Sequence, residues 1–590
     1  MISAKSNILK FTTILLIFLS VVLRVISIPH SNHDMVAYNL LWYQTLYQKG
    51  IDEALATNFS NYTPPYTYFL ALATLTRDLV SPLIAIKLIP TCFDILGAFY
   101  VYKIIKLKYQ HGDMPYLAAA IYFIAPTVIL NSAYWGQADS LYTSLLLACI
   151  YFLLTEKSFA SMLAFGVAFS FKAQAVFLLP FLVIMAFRKR IAWLYFSLIP
   201  AVYLATVLPV VLLGRPLLET LLIYSKQSDT FAILSMNAPN LYSLFSREWY
   251  SPILPIGIIA AIILIAYWVY ATSQAKIALD NKYIILVAVI SAALVPFVLP
   301  KMHDRYFYST DVLSIVLAFY WPTLWFIPAL YQFVSTSAIS VFLFNVDSSV
   351  VVFGFLINSI ALATLLRTQR LTEKRSATNQ IISSALSWLA TILTPIIIFG
   401  ISLNLLLTPA FIRVEYVMPH NPADSSGFTK SERFQWAYQT IDYLINDRQT
   451  QYLAKQIFSN GSPVFNADEI TIIENIKISV QKTLVTWRLS LAISFILGLL
   501  AWAGNWLSKF RQGIKRGGWL SMGFAIILEF ATTIFNNAVP NASFRSTVTL
   551  LRLFPIRFWQ DSVLFLVICM VGIGFLLVIS LSKIKNEPQD

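Results

Sequence analysis

Tyr283-Ile284-Ile285-Leu286-Val287-Ala288-Val289-Ile290-Ser291-Ala292-Ala293-Leu294-Val295-Pro296-Phe297-Val298-Leu299-Pro300 is followed at once by Lys301-Met302-His303-Asp304-Arg305-Tyr306. The first part carries no charge and comes close to the roughly 20 apolar residues that cross a bilayer. The second crowds cations, a histidine and an acid into the place where the apolar run stops. An apolar run ending in a polar cluster predicts a membrane helix that delivers a site to one membrane face.

The rest of the chain repeats the first half of that pattern. Of 590 residues, 58% are hydrophobic and 12% charged, too few polar groups to clothe a soluble protein of this size. The expected fold class is an all-α polytopic membrane protein. Phe11 to Ile28 follows the basic Lys5 and Lys10 like a signal peptide, but no small-residue cleavage site comes after it, and Pro29-His30 is a poor one. A retained first helix is expected. Cys92, Cys149 and Cys569 all fall inside apolar runs, which argues against a disulfide framework and a metal site.

The net charge of +14 is spread in short runs between apolar segments: Lys103, Lys106 and Lys108; Arg188-Lys189-Arg190; Arg367, Arg370, Lys374 and Arg375; Lys509, Arg511, Lys515 and Arg516; Lys583 and Lys585. That is the signature of cytoplasmic loops rather than of nucleic-acid binding, and no nucleic-acid partner is expected. With these runs inside, segments 11–28, 83–105, 115–133, 138–155, 158–172, 174–188, 191–213, 252–273, 283–300, 308–320, 321–344, 349–366, 382–407, 485–507, 518–536 and 560–582 alternate consistently, about 16 spans in all. Segments 29–82, 214–251, 409–484 and 537–559 then lie outside. The expected domains are residues 1–366, a cytoplasmic linker 367–381, and a four-span module 382–590 carrying an extracytoplasmic subdomain 409–484.

Within the first outer segment, Tyr62-Thr63-Pro64-Pro65-Tyr66-Thr67-Tyr68-Phe69 leads a stretch too short to span twice. An interfacial or re-entrant helix with its tyrosines at headgroup level is expected. In the subdomain, Thr429-Lys430-Ser431-Glu432 and Asn466 to Glu469 have the form of capping boxes, and Asn460-Gly461 marks a turn.

The same parity gathers polar groups on the outer face. Asp34, beside His33, is a general base if it meets an acceptor hydroxyl, or a solvated acid capping the next helix. Asp139, after Trp135-Gly136-Gln137-Ala138, is a second site carboxylate or a helix cap. Lys172 interrupts an apolar hairpin, at an insertion cost of roughly 2.5–3.5 kcal/mol at membrane depth, so a partner acid or phosphate is expected. Lys301, His303 and Arg305 form either a phosphate-holding set or an interfacial anchor with Tyr306 and its aromatic neighbours. Asp94 lies two turns from Lys87 on one helix face and is expected in a structural pair. Asn237-Ala238-Pro239-Asn240-Leu241-Tyr242 is either a sugar-cleft lining or an ordinary polar loop. No HExxH, P-loop or Ser-His-Asp spacing occurs. Acids and cations beside a membrane-level groove suit transfer from a lipid-phosphate donor: cations hold the departing phosphate, and an acid takes the hydroxyl proton.

Asp34, Tyr62-Thr63-Pro64-Pro65-Tyr66, Trp135-Gly136-Gln137-Ala138-Asp139-Ser140 and Met302-His303-Asp304-Arg305-Tyr306 together resemble the GT-C glycosyltransferases. The likeness is strongest to bacterial relatives of the second mannosyltransferase of GPI-anchor synthesis, and it covers residues 1–366. Family members more often carry Glu where this chain has Asp304. The resemblance implies a GT-C-like helical bundle with extracytoplasmic loops and inverting transfer of a hexose, mannose or a related sugar. It further implies a polyprenyl-phosphate sugar as donor, a lipid, glycan or protein acceptor, and a site on the outer face of a bacterial plasma membrane. Asp34 would be the base; Lys172, Lys301, His303 and Arg305 would bind donor phosphate; His33, Tyr66, Trp135, Gln137, Asp139, Asp304 and Tyr306 would support the site. No cofactor is expected and no metal ligand is assigned.

Residues 382–582 resemble a different family, the four-span proteins that include the lipoprotein intramolecular transacylase. The resemblance rests on Leu407-Thr408-Pro409-Ala410-Phe411, Phe465-Asn466-Ala467-Asp468-Glu469-Ile470 and Leu551-Arg552-Leu553-Phe554-Pro555-Ile556-Arg557-Phe558-Trp559. That family has a histidine where this chain has Ile472 and another in the third span, yet no histidine follows His420 here. Acyl transfer needs a base near the ester, so a docking or substrate-presenting module is expected, with Glu529 its one intramembrane ionisable group of interest. Two other classes compete: a flippase or transporter for lipid-linked sugars, with ionisable groups at the midplane and discontinuous helices, and lipoprotein acyl remodelling by the C-terminal half.

Overall fold

The computed structural model describes residues 2–229, 231–245, 249–374, 380–417, 429–446, 448–458, 461–538, 549 and 553–583. The chain is an all-α polytopic membrane protein. Among the described residues the only strands are Ser235–Met236 and Met302–His303, which pair in parallel. Ten helices are long and apolar enough to cross a membrane, or eleven if Met114–Ile124 and Pro126–Trp135, bent by 52° against each other, count as one span. Two compact units divide at Arg375 and Ser376.

Every expected span falls on a helix, but several are not full-length crossings. Asp139–Leu154, Ser158–Phe171, Ala173–Phe187 and Tyr308–Tyr320 are short apolar helices. Asp139–Leu154 and Tyr308–Tyr320 tolerate short length because they are enclosed by protein, which satisfies the backbone at their ends where lipid could not. Asp139–Leu154 is buried along most of its length. The bend in the third span has a chemical cause. Pro126 has no N–H, and the N–H of Thr127 turns to Gln332 Oε1 at 3.0 Å. The carbonyl of Phe123, freed by the break, accepts instead from Ser20 at 2.7 Å and Arg24 at 2.7 Å.

The basic turns meet at one end of the first unit. Lys108 donates to the carbonyl of Phe319 at 2.8 Å, Arg190 pairs with Glu156 at 2.9 Å, and Arg188 donates to the carbonyl of Ile277. Trp321 donates to the carbonyl of Lys282 at 3.1 Å, and Tyr283 reaches Glu373. The turns around residues 30–34, 134–139, 172 and 299–306 lie at the other ends of the same helices.

The paired prolines begin the short helix Pro64–Thr74, at positions where a missing N–H costs nothing. Its tyrosines turn into the protein: Tyr66 is 1% exposed and packs edge-on against Tyr62, while the Tyr68 hydroxyl donates to the carbonyl of Thr206 at 2.9 Å. The linker is shorter than 367–381, because helix Ser349–Thr372 runs on through Arg367 and Arg370, and the next begins at Gln380. Arg375 lies outside the described residues, as do His420, Asn460, Leu551, Arg552 and Lys585.

In the second unit, Gln380–Leu406, Ala467–Ala503, Leu507–Ala538 and Ile556–Lys583 are the long helices. Both capping boxes are present, Thr429 with Glu432 and Asn466 with Glu469. Pro409–Val417, Lys430–Ile445 and Gln451–Ala454 close over a small core that includes Ile412, Ala437, Leu453 and Val464. The membrane helices approach through small residues. A Cβ on Gly518 would sit 3.1 Å from the carbonyl of Gly574, the close backbone contact that drives packing where lipid is as apolar as leucine.

Candidate functional site

The site is assembled from five chain segments at the end of the first unit opposite the basic turns. After the first helix ends at Ser27, Asp34 leads into a π-helical turn, Met35–Asn39. A second π-helical turn, Leu130–Trp135, ends on Gly136 in the left-handed conformation, φ 82°. Such turns cost helix regularity and recur at functional sites. The two segments are stitched together. Asn32 donates to the carbonyl of Trp135 at 2.9 Å and Asn39 to that of Gly136 at 3.1 Å. The ammonium of Lys87 donates to the carbonyls of His30 at 2.5 Å and Tyr134 at 2.6 Å.

Gly136 is required at this junction. Its backbone is one that L side chains rarely adopt, and a Cβ would run into Met35 Cε and lie 3.3 Å from Lys87 Cγ. We expect Gly136→Ala to cost about 1–3 kcal/mol, measured as a lowered unfolding midpoint. A wild-type midpoint would show that the turn relaxes freely.

The stitching presents a carboxylate. Asp34 Oδ2 accepts from Trp135 Nε1 at 2.9 Å and from Gln137 Nε2 at 3.1 Å, and Gln137 Oε1 accepts from the Tyr62 hydroxyl at 3.0 Å. Two donors on one oxygen fix the plane of the carboxyl group. Asp34 makes no capping hydrogen bond to the helix it precedes, and Asp139 lies in the first turn of its helix, where its charge suits the dipole, without a capping hydrogen bond of its own.

Asp139 is fully buried and gathers cations. Oδ1 meets Lys172 Nζ at 2.5 Å; Oδ2 accepts from Asn131 at 2.8 Å and lies 3.5 Å from Arg305 Nε. Lys172 reaches it because the chain breaks from helix into extended backbone at that residue. The Arg305 guanidinium stands 5.3 Å from the Trp135 ring and 3.9 Å from Asp304. Asp34 and Arg305 therefore share one neighbour, Trp135, whose ring also stacks on Phe342 at 5.1 Å.

The loop after Val298 turns through Lys301 at φ 64°, and the N–H of Lys301 donates to the carbonyl of Leu234 at 2.7 Å. Here the four expected phosphate holders separate. Lys172 and Arg305 join Asp139, whereas Lys301 and His303 line a neighbouring cleft of about 370 Å³ with Gln174, Tyr224, Gln227 and Tyr306. His303 packs on Tyr306 at 4.9 Å. Burial, aided by Arg305 and Lys172, pushes the His303 imidazole down to about 3, so it is neutral at physiological pH. Burial raises the Tyr62 and Tyr306 hydroxyls to about 12.

Burial also lifts the Asp304 carboxyl to about 7, against the pull of Arg305 in the other direction. The sign follows: the folded protein favours protonated Asp304. The stability this contributes is complete below the ordinary carboxylate range and is lost as pH rises through about 7. We expect Asp304→Asn to gain on the wild type as pH is raised from about 5 to 8, by a few degrees in unfolding midpoint. A gap that stays constant across that range would refute the assignment.

Other expected members fall elsewhere. His33 is exposed and takes no part in the network. Tyr66 packs behind Tyr62 and Trp42, and it is Tyr62 that reaches the site. Asp94 does not pair with Lys87; it binds Arg24 at 2.9 Å and Ser132 at 2.5 Å, because the π-helical turn rotates Ser132 onto it. Asn240 is buried and donates to the carbonyls of Pro296 and Leu299, so it pins the loop rather than lining a sugar cleft. Lys87, Asn32, Asn39, Asn131 and Arg24 carried no motif. The cost of burying Lys87 and Arg24 in apolar runs was the one signal that could have found those two.

Among the described residues no group of three or more His, Cys, Asp or Glu is arranged to hold a metal. No family model and no solved structure matches the chain. An uncharacterized protein of Aquifex aeolicus (strain VF5) is 27% identical over 208 residues, 33% of this chain and 91% of the relative.

Proposed function

We propose that this protein is a membrane glycosyltransferase that moves a hexose from a polyprenyl-phosphate sugar to a hydroxyl of a lipid, glycan or protein acceptor. The observation that carries the reading is the Asp34 carboxylate, held on one oxygen by Trp135 and Gln137, with Arg305 5.3 Å from the same Trp135 ring. The acceptor oxygen bonds to the anomeric carbon and its proton passes to Asp34. The bond from that carbon to the phosphate oxygen breaks, and the electron pair leaves with polyprenyl phosphate. Removing a hydroxyl proton at the moment of attack accelerates such a step by about 10²–10⁴-fold. Arg305 and Lys172 offer positive charge to the departing phosphate. The site lies at the end of the bundle opposite the basic turns, which supports an extracytoplasmic face if those turns are cytoplasmic. Sugar-dependent release of polyprenyl phosphate by the purified protein tests the proposal, and its absence with a panel of hexosyl donors overturns it.

A second reading, a flippase for lipid-linked sugars, draws on the helix broken at Pro126 and on the buried Arg24–Asp94 pair inside the bundle. Movement of intact donor across liposomes without its cleavage would select it. The acyl-remodelling alternative predicts altered lipoprotein acylation on gene deletion, to be read by mass spectrometry.

A further inference from the structure

Four cations, Lys509, Arg511, Lys515 and Arg516, stand in the first turns of Leu507–Ala538 in the second unit. None of the stretches 380–406, 475–528 and 562–583, whose helices pack on one another, contains an aspartate or a glutamate. A basic turn that only marks one side of the membrane sends its charged heads into water. Two of these cations turn into the seam with Gln380–Leu406 instead. Lys509 Nζ donates to the carbonyl of Gln380 at 3.2 Å and to the hydroxyls of Ser383 at 2.9 Å and Ser384 at 3.3 Å. Arg516 Nη2 donates to the Ser387 hydroxyl at 2.8 Å, its guanidinium lies 4.0 Å from the Trp388 ring, and its Nε is buried with no bonding partner. Only neutral oxygens and a ring answer the two charges. The helices close tightly between them, for a Cβ on Gly513 would run into the carbonyl of Ser387.

Arg516 stands about 10 Å further along the helix than Lys509, on the side of its apolar part. Trp388 and Trp519 at that level are 55% and 58% exposed, as aromatic rings are where hydrocarbon meets headgroups. A cation at this depth calls for a counter-charge, and what the bilayer itself supplies there is a phosphate. Guanidinium and ammonium groups beside hydroxyls suit phosphate oxygens. A zwitterionic headgroup would bring an ammonium of its own, and no acid in these stretches could receive it. We propose that the seam between Gln380–Leu406 and Leu507–Ala538 binds the headgroup phosphate of an anionic phospholipid through Arg516 and Lys509.

The test uses the full chain, purified in detergent and titrated with phosphatidylglycerol, phosphatidylcholine or inorganic phosphate at constant ionic strength. The unfolding midpoint is expected to rise saturably with phosphatidylglycerol alone, as binding to the folded state requires. R516Q and K509Q are each expected to shift half-saturation about tenfold upward, the worth of one charge-assisted hydrogen bond. K583Q, which removes a cation outside the seam, is expected to leave half-saturation where it is. Equal midpoints in the two lipids overturn the site. So does a shift in K583Q as large as that in R516Q, which identifies diffuse surface charge. The same rise with inorganic phosphate identifies a free-anion site and overturns the lipid. If R516Q does not fold, unchanged half-saturation in K509Q overturns the proposal equally.

Discussion

Replacing Asp34 with Asn is expected to lower sugar transfer by about 10²–10⁴-fold, the range that a positioned general base supplies, with little change in the unfolding midpoint. The substitution is nearly isosteric, so the amide can still accept from Trp135 and Gln137 through its oxygen. What it cannot do is take the acceptor's proton. Loss of transfer with an intact midpoint therefore isolates the chemical role from the structural one. Transfer within a few-fold of wild type would remove Asp34 from the reaction, and the proposed mechanism with it. Gln137→Leu provides an independent check: Asp34 would keep Trp135 but lose its second donor, and a smaller loss of transfer is expected.

The largest stability effect is expected at Asp139. Its carboxylate is fully buried between Lys172 and Arg305, at 2.5 Å and 3.5 Å. Asp139→Asn leaves two cations facing one another with little water to screen them. Breaking a buried pair by removing one member typically costs about 3–5 kcal/mol, because the remaining charge is stranded. Lys172→Met should cost less, since Arg305 still faces the acid. The double variant should recover part of what Asp139→Asn loses, and a double-mutant cycle on denaturant unfolding measures the coupling. If Asp139→Asn stays within about 1 kcal/mol of wild type, the cluster is hydrated and its electrostatics are those of a surface.

How much of this was legible in the sequence differs by feature. Tyr283 to Pro300 announced a membrane helix, and Asn281–Val298 is one, buried over nearly its whole length. The two capping boxes formed where Thr429-Lys430-Ser431-Glu432 and Asn466 to Glu469 stand, since a cap is local chemistry over four residues. Asp34, Trp135, Gln137, Asp139 and Arg305 were singled out from three separate stretches, and the fold brings them together. Tyr62 and Tyr66 stand in one motif, and only the path of the chain before Pro64 decides that it is Tyr62 that reaches Gln137. Asp94 was set against Lys87 because they share a helix face, but a helix face also has neighbours. Arg24, 70 positions away, is the one that arrived.

The sequence by itself determined that this chain lives in a membrane, where its helices run and which turns are basic. Each of those properties is a sum over neighbouring residues: the free energy of moving a short segment from water to lipid, or of charging the turn beside it. Only the tertiary structure decided which polar side chains meet. Asp34 finds Trp135 across 101 positions because two helices end in π-helical turns and a glycine turns the chain through a left-handed conformation. Rotation and breakage of helices are settled by packing against other helices, and hydropathy along a single segment carries no term for that.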